Sequence, residues 1–384
     1  PIVWLIAALQ CVYILDFIMA MPLGPDWTRT LQFDISRMGW VSASYTTAAI
    51  VANLLGLKFL DRLPRKQMLL ILWLLFSFAT WLCSQATDLY TLLGLRALTG
   101  LFGAPSLAIG VAIVLDQTAP ELRGRVMSTV MSGFTLAAVV GVPAILWIAD
   151  RFGSSWVFHF LGCIALGLVL CIQAMIPHDS NETHAVTEPA FSSVNALLQQ
   201  PQTLKMFGIQ ALNQGAAFLL IPVLAAFQVS NLGVARSDLS LYYLCGGIAA
   251  FLMIQAYGRW IDQYGVQRCL NLASLIFILG FYPLWTNAQV GSLVFFVAFM
   301  AGNAGRNISL AVSSSHIPTA QQRARYFSLQ NIVQDGAIII GSLLSSQILT
   351  STAGGSIQKM PYVATLAWGF VLLTIWLHRR WFKY

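Results

Sequence analysis

Charge is what this chain has least of. Lysine, arginine, aspartate and glutamate supply only 9% of its 384 residues, against 58% hydrophobic residues and a mean hydropathy of +0.73. So little polar surface cannot wrap a globule of this length in water, which excludes a soluble domain. The six cysteines, Cys11, Cys83, Cys163, Cys171, Cys245 and Cys269, lie within or at the ends of apolar runs, without metal-ligand or disulfide spacing. They read as small apolar residues. Met19 and Met21 point to different sides of one helix, with no histidine or cysteine at helical spacing from them, so a soft-metal path is not built. A Walker loop, a nucleophile elbow and a zinc-protease pattern are all missing. ATP-driven pumping and intramembrane hydrolysis lack their residues, and neither an enzyme nor a resident cofactor or metal is expected.

What the chain does have is apolar runs of about 20 residues, the length that crosses a hydrocarbon core of about 30 Å. Helices are expected near 2–23, 38–60, 67–86, 89–117, 126–148 and 155–177, and again near 205–229, 238–261, 268–287, 290–316, 326–350 and 361–381. This is an all-α membrane protein of twelve transmembrane helices, six plus six, with the lipid bilayer as its solvent. A polar, proline-marked stretch separates the halves, giving domains at 1–177 and 205–384 and a linker at 178–204.

The halves echo one another. Asp61, Arg62, Arg65 and Lys66 follow the second apolar run, and Gly258, Asp262, Gly265 and Arg268 follow the eighth; Arg123 and Arg125 after the fourth return as Arg323 and Arg325 after the tenth. Matching hairpins fall on matching sides, so the repeat is parallel. Of the 21 lysines and arginines, fourteen fall on one side, five on the other, and Arg96 and Arg306 within spans. The positive-inside rule therefore puts both termini and the linker in the cytoplasm. The net charge of +7 belongs to these loops, and no nucleic-acid partner is expected.

Four ionisable residues sit deep in spans: Asp16, Arg96, Arg306 and Asp335. Each costs roughly 2.5 to 3.5 kcal/mol at a helix centre, so each is expected to face a partner or a water-filled cavity. At 1.5 Å per residue, Asp16 lies about 9 Å and Arg96 about 10 Å below the outer boundary, so the two can meet. Arg306 and Asp335 lie about 15 and 14 Å above the inner ends of their helices and share a depth of their own. A carboxylate facing a guanidinium stays ionised, whereas one left in apolar surroundings takes up a proton. Separating such a pair would exchange a proton; a static buried ion pair is the plainer alternative. Candidate substrate contacts are Gln210, Asn213 and Gln214 on one face of the seventh helix, Asn331 beside Asp335 on the eleventh, Asn53, Tyr242 and Tyr243, with helix-to-helix hydrogen bonding the alternative for each. At the basic hairpins, Asp61 sits at a helix start and Arg65 is placed to bridge towards Asp116, beside Arg123.

These motifs resemble the major facilitator superfamily across the whole chain. The hairpin at 57–67, its fuller copy at 258–268, and the run from Leu93 through Arg96, Gly100 and Gly103 are similar to that superfamily's signatures. Gly141 and Pro143 resemble the fifth-helix motif of its proton-driven exporters, and Asp16 through Pro25 the first-helix motif of its bacterial drug and sugar-efflux branch. Leu57 and Pro64 stand where glycines are usual in the first hairpin, and Ala137 and Val142 depart from the fifth-helix pattern. The resemblance implies two pseudo-symmetric six-helix bundles and a monomer of the bacterial inner membrane. It also implies a proton-coupled secondary transporter exporting a small amphipathic or sugar-like compound, with Asp61, Arg62, Arg65, Lys66, Asp116, Arg123, Gly258, Asp262, Gly265 and Arg268 as a cytoplasmic gate. An importer or uniporter of a polar metabolite, and a transport-inactive sensor or scaffold, remain the alternatives.

Overall fold

The computed structural model describes residues 1–59, 64–119, 122–177, 197–319, 322–352 and 355–382. Hydrocarbon offers the backbone no hydrogen-bond partners, so the apolar runs close theirs internally as helices. In chain order these are α1 (Ile2–Ile18), α2 (Gly24–Thr30), α3 (Met38–Phe59), α4 (Arg65–Leu82), α5 (Leu89–Asp116), α6 (Arg123–Leu136), α7 (Val142–Phe152) and α8 (Ser154–Met175). The second half contains α9 (Pro201–Phe218), α10 (Ile221–Ser230), α11 (Leu239–Tyr264), α12 (Val266–Leu279), α13 (Tyr282–Thr286), α14 (Ser292–Ser315), α15 (Arg323–Ile348) and α16 (Met360–Trp381). A two-stranded antiparallel hairpin, β1 (Thr350–Ser351) with β2 (Ile357–Gln358), joins the last two helices.

Among the described residues the helices group into twelve segments, because α1 with α2, α6 with α7, α9 with α10, and α12 with α13 each form one segment in two pieces. Ten segments among the described residues are long and apolar enough to span a bilayer. The breaks are where the structure departs from the uninterrupted helices expected. Each second piece opens with a proline in its first turn, Pro25, Pro143, Pro222 and Pro283. At Pro25, Pro222 and Pro283 the proline gives up an N–H that would have no intrahelical partner anyway, so the helix restarts there without loss. The seventh segment begins at Pro201, four residues before the expected start at 205. Most of the expected linker, 178–196, lies outside the described residues.

The contacts divide the chain into two units, one of Pro1–Asp34 with Trp40–Ala185 and one of Ile35–Gly39 with Val186–Tyr384. In the first, α4 packs on α5 and α8, and α1 on α6; in the second, α12 packs on α14 and α16, and α9 on α15. The second set repeats the first span for span. On α8, Val157, Phe158, Leu161 and Ala165 are buried while Phe160, Ile164, Leu166 and Leu170 are exposed. An exposed apolar stripe on a membrane helix is the face turned to lipid.

Candidate coupling and gating sites

In the first unit the expected pair is formed. Arg96 Nη1 donates to Asp16 Oδ2 at 2.9 Å, and its Nη2 donates to the Asp16 backbone carbonyl at 2.8 Å. Both side chains are fully buried. Thr80 Oγ1 adds a long hydrogen bond of 3.4 Å to Asp16 Oδ1. Below the guanidinium lies the Tyr45 ring, 4.6 Å from Cζ to centroid, itself packed against Tyr13 and Phe17. A guanidinium between a carboxylate at its edge and an aromatic ring at its face is held in orientation by both. Thr80 and Tyr45 carry no charge, and nothing in their sequence context singled them out.

The fifth segment braces the helix that carries Asp16. A Cβ on Gly141 would stand 2.7 Å from Leu15 Cδ1, so the absence of a side chain lets this segment close on α1 beside the acid. Ala137–Gly141 forms a π-helical turn just before Pro143. Proline removes one hydrogen bond of the regular ladder, and a π turn is how a helix commonly absorbs such a fault.

In the second unit the expected pair is not formed. Arg306 is fully buried, with Cζ 4.7 Å above the Phe277 ring, and none of its three guanidinium nitrogens has a hydrogen-bond partner among the described residues. Asp335, half-buried on α15, makes no ion pair among them. The reason is lateral: α9 stands between the two helices at this level. Asn213 Nδ2 donates to Asn307 Oδ1 on α14 at 2.6 Å, and Gln334 Nε2 on α15 donates to Gln210 Oε1 at 3.0 Å. Gln210 and Asn213 are thus buried helix-to-helix contacts, while Gln214 and Asn53 are half-buried and Asn331 is exposed. Tyr242 is tied to packing: its hydroxyl bonds Ser292 Oγ at 2.6 Å, and both Tyr242 and Tyr243 lie edge-on to Phe296.

At the basic hairpins Arg65 and Asp116 form an ion pair between the start of α4 and the end of α5. An acid at a helix C-terminus is disfavoured by the helix dipole, and Arg65 offsets that. Asp61 and Arg62 lie outside the described residues, as does the side chain of Arg123. Lys66, expected in the same cluster, is buried, and its ammonium donates to the carbonyls of Gln173 at 2.9 Å and Ile176 at 2.5 Å. It closes the C-terminus of α8, which a cation suits. The second hairpin does not form its expected bridge: Asp262 and Arg268 are both exposed, with no ion pair between them. Gly265, at φ +80°, turns α11 into α12 within one residue and leaves these side chains on the outside of the turn; Gly258 faces open space.

The family model of the Major Facilitator Superfamily matches residues 6–203, more than half of the chain. The chain belongs to the Major Facilitator Superfamily. It is similar to the inner membrane transport protein YdhP of Escherichia coli, 22% identical over 94% of this chain and 91% of that protein. The multidrug resistance protein MdtG of Klebsiella pneumoniae is 27% identical over 75% of this chain and 71% of its own length. Among solved structures, a D-xylose-proton symporter superposes with a TM-score of 0.78 at 14% identity, covering 97% of this chain and 96% of that one. The fold is therefore the two-bundle, twelve-helix fold of this superfamily, and the protein is a multi-pass membrane transporter, not an enzyme.

Proposed function

We propose that this superfamily transporter is a proton-driven exporter of a small amphipathic or sugar-like compound, working by alternating access as a monomer, with both termini in the cytoplasm. The observation that carries the reading is the Asp16–Arg96 pair. A carboxylate and a guanidinium both withdrawn from solvent cost several kcal/mol each, and a well-packed apolar pair would serve stability as well. A pair that opens during the cycle uses that cost: Asp16 is ionised while Arg96 faces it and takes up a proton when Arg96 moves away. The ion pair of Arg65 with Asp116 supports a cytoplasmic gate made in one state and broken in the other. The name of the multidrug resistance relative favours export; that of the sugar-proton symporter supports the alternative of uptake with a proton. A transport-inactive scaffold would have no reason to retain the buried charges.

The test uses everted membrane vesicles acidified inside by respiration, with a pH-sensitive acridine dye reporting the gradient. A panel of drugs and sugars, chloramphenicol and D-xylose among them, is added to vesicles containing the wild type or Asp16→Asn. Proton-coupled export appears as dye recovery on addition of a transported compound, and Asp16→Asn abolishes it. Recovery retained in Asp16→Asn removes Asp16 from the coupling role and makes Asp335 the next candidate.

A further inference from the structure

Three helices of the second unit each carry polar residues at i, i+3 and i+4: Gln210, Asn213 and Gln214 on α9, Asn303, Arg306 and Asn307 on α14, and Asn331, Gln334 and Asp335 on α15. That spacing puts each set on one helix face. Two hydrogen bonds stitch the faces together, Asn213 to Asn307 at 2.6 Å and Gln334 to Gln210 at 3.0 Å. Arg306 is the one cation in this polar seam, and it is the group whose needs the protein leaves unmet. Its planar face is taken up by Phe277. Its edge carries five N–H donors that match a bidentate acceptor, and none of the three nitrogens has an acceptor among the described residues. Asn213 Oδ1 and Asn303 Oδ1 close by in the seam are likewise buried without partners.

At the offset of 200 residues that sets Arg123 and Arg125 against Arg323 and Arg325, the residue of the first unit matching Arg306 in the sequence is Ser106 on α5. Ser106 is fully buried, and its hydroxyl donates to the Gly103 carbonyl at 2.6 Å. The first unit thus carries no cation at that sequence position. A buried guanidinium with its donors unpaired is destabilising in itself, so Arg306 is retained for something that visits it.

We propose that Arg306 recognises an anionic group, a carboxylate or phosphate-like group, on the transported compound, the amides of the seam holding the rest of the molecule by hydrogen bonds. This deepens the reading of the chain as a transporter and rests on it. A bidentate acceptor at the guanidinium edge satisfies the donors that Phe277 cannot, and exchanges a desolvated lone charge for a neutralised pair.

The experiment is a binding screen on the purified full-length protein in detergent at one fixed pH, read by thermal shift and then by calorimetry. The probes are monocarboxylates, each matched with its own primary amide so that only the charge differs, together with inorganic phosphate and a chloride titration. At least one carboxylate is expected to bind about tenfold or more tightly than its amide, as charge-assisted hydrogen bonds are about twice as strong as neutral ones. Arg306→Gln should erase that preference and Arg306→Lys should keep part of it. Arg306→Met keeps the result interpretable if truncation disturbs folding: with its unpaired charge gone it should melt at or above the wild-type temperature while losing the carboxylate preference. The proposal is overturned by a screen in which amides bind as well as carboxylates, or in which neither a carboxylate nor phosphate binds. It is equally overturned by a preference that survives Arg306→Gln, by chloride alone occupying the site without competition from any carboxylate, or by Arg306→Met melting well below wild type with its ligand preference intact. Since the screen involves no pH gradient, its failure leaves the coupling role of Asp16 standing, and loss of coupling leaves this result standing.

Discussion

Asp16 spends both of its carboxylate oxygens and its backbone carbonyl on neighbours within the first unit, and the guanidinium that serves two of those atoms is as deeply buried as the acid. Truncating one member of such a pair leaves the other charge buried and uncompensated, which costs about 3–5 kcal/mol, whereas an apolar pair of similar volume is neutral or better. Arg96→Ala should therefore lower the thermal unfolding temperature of the detergent-solubilised protein markedly, and the double variant Asp16→Leu with Arg96→Met should restore it. If the pair serves coupling, the restored double variant still fails to move protons in the vesicle assay; recovery of both properties together would mark the pair as purely structural. At this scale the sequence was informative where a charge interrupts an apolar run. Depth along the helix axis was enough to bring Asp16 to Arg96. It was not enough for Arg306 and Asp335, because depth is one coordinate and the amide bridges of α9 decide the lateral one. Thr80 and Tyr45 were beyond reach because uncharged residues in membrane helices carry no signal of which face they occupy.

Helix ends show where local chemistry can be tested apart from transport. Asp88 precedes α5, the helix that carries Arg96, and its carboxylate accepts from the backbone N–H groups of Tyr90 at 2.8 Å and Thr91 at 3.1 Å. The Thr91 hydroxyl, the largest influence, and these N–H groups hold its pKa below the ordinary carboxylate range. A carboxyl group with a depressed folded-state pKa stabilises the fold above the unfolded value of about 4, and that contribution is lost as pH falls through the folded value. Asp88→Ala should accordingly lower the unfolding temperature at pH 7, and the gap between variant and wild type should narrow towards pH 3. A gap that is constant across that range would assign the effect to the loss of something other than the carboxylate cap. The expected break between the helices at 67–86 and 89–117 was legible as a polar interruption, and the cap itself was an available signal, an aspartate directly before an apolar run. The divided segments were less legible, since hydropathy runs unbroken through Pro222 and Pro283 while the backbone does not.

For the whole molecule, composition, the twelve apolar runs and the repeated basic hairpins were enough to reach the fold, because a bilayer leaves so few alternatives to a helical bundle. The gate was less accessible: Arg65 with Asp116 follows from helix ends that adjoin, but the Gly265 turn opposes a bridge between Asp262 and Arg268, and nothing in the sequence pointed Lys66 to the last carbonyls of α8. Orientation across the membrane rests on charge alone. In the second unit Gln263 lies in the last turn of α11, next to the start of α12, and Gln289 lies beyond the far end of the α12–α13 segment; both are exposed, so they report opposite sides of one span. Fourteen of the 21 cations fall on the Gln263 side, and translocating basic loops is disfavoured, so the proposed orientation has that side in the cytoplasm. With the six native cysteines replaced by alanine or serine, Gln289→Cys should react with a membrane-impermeant maleimide added to intact cells. Gln263→Cys, and Ser192→Cys in the segment joining the halves, should react only after permeabilisation. Labelling of Gln263→Cys from outside, with Gln289→Cys protected, would invert the molecule, place the Arg65–Asp116 pair on the external face, and turn the proposed cytoplasmic gate into an outer one.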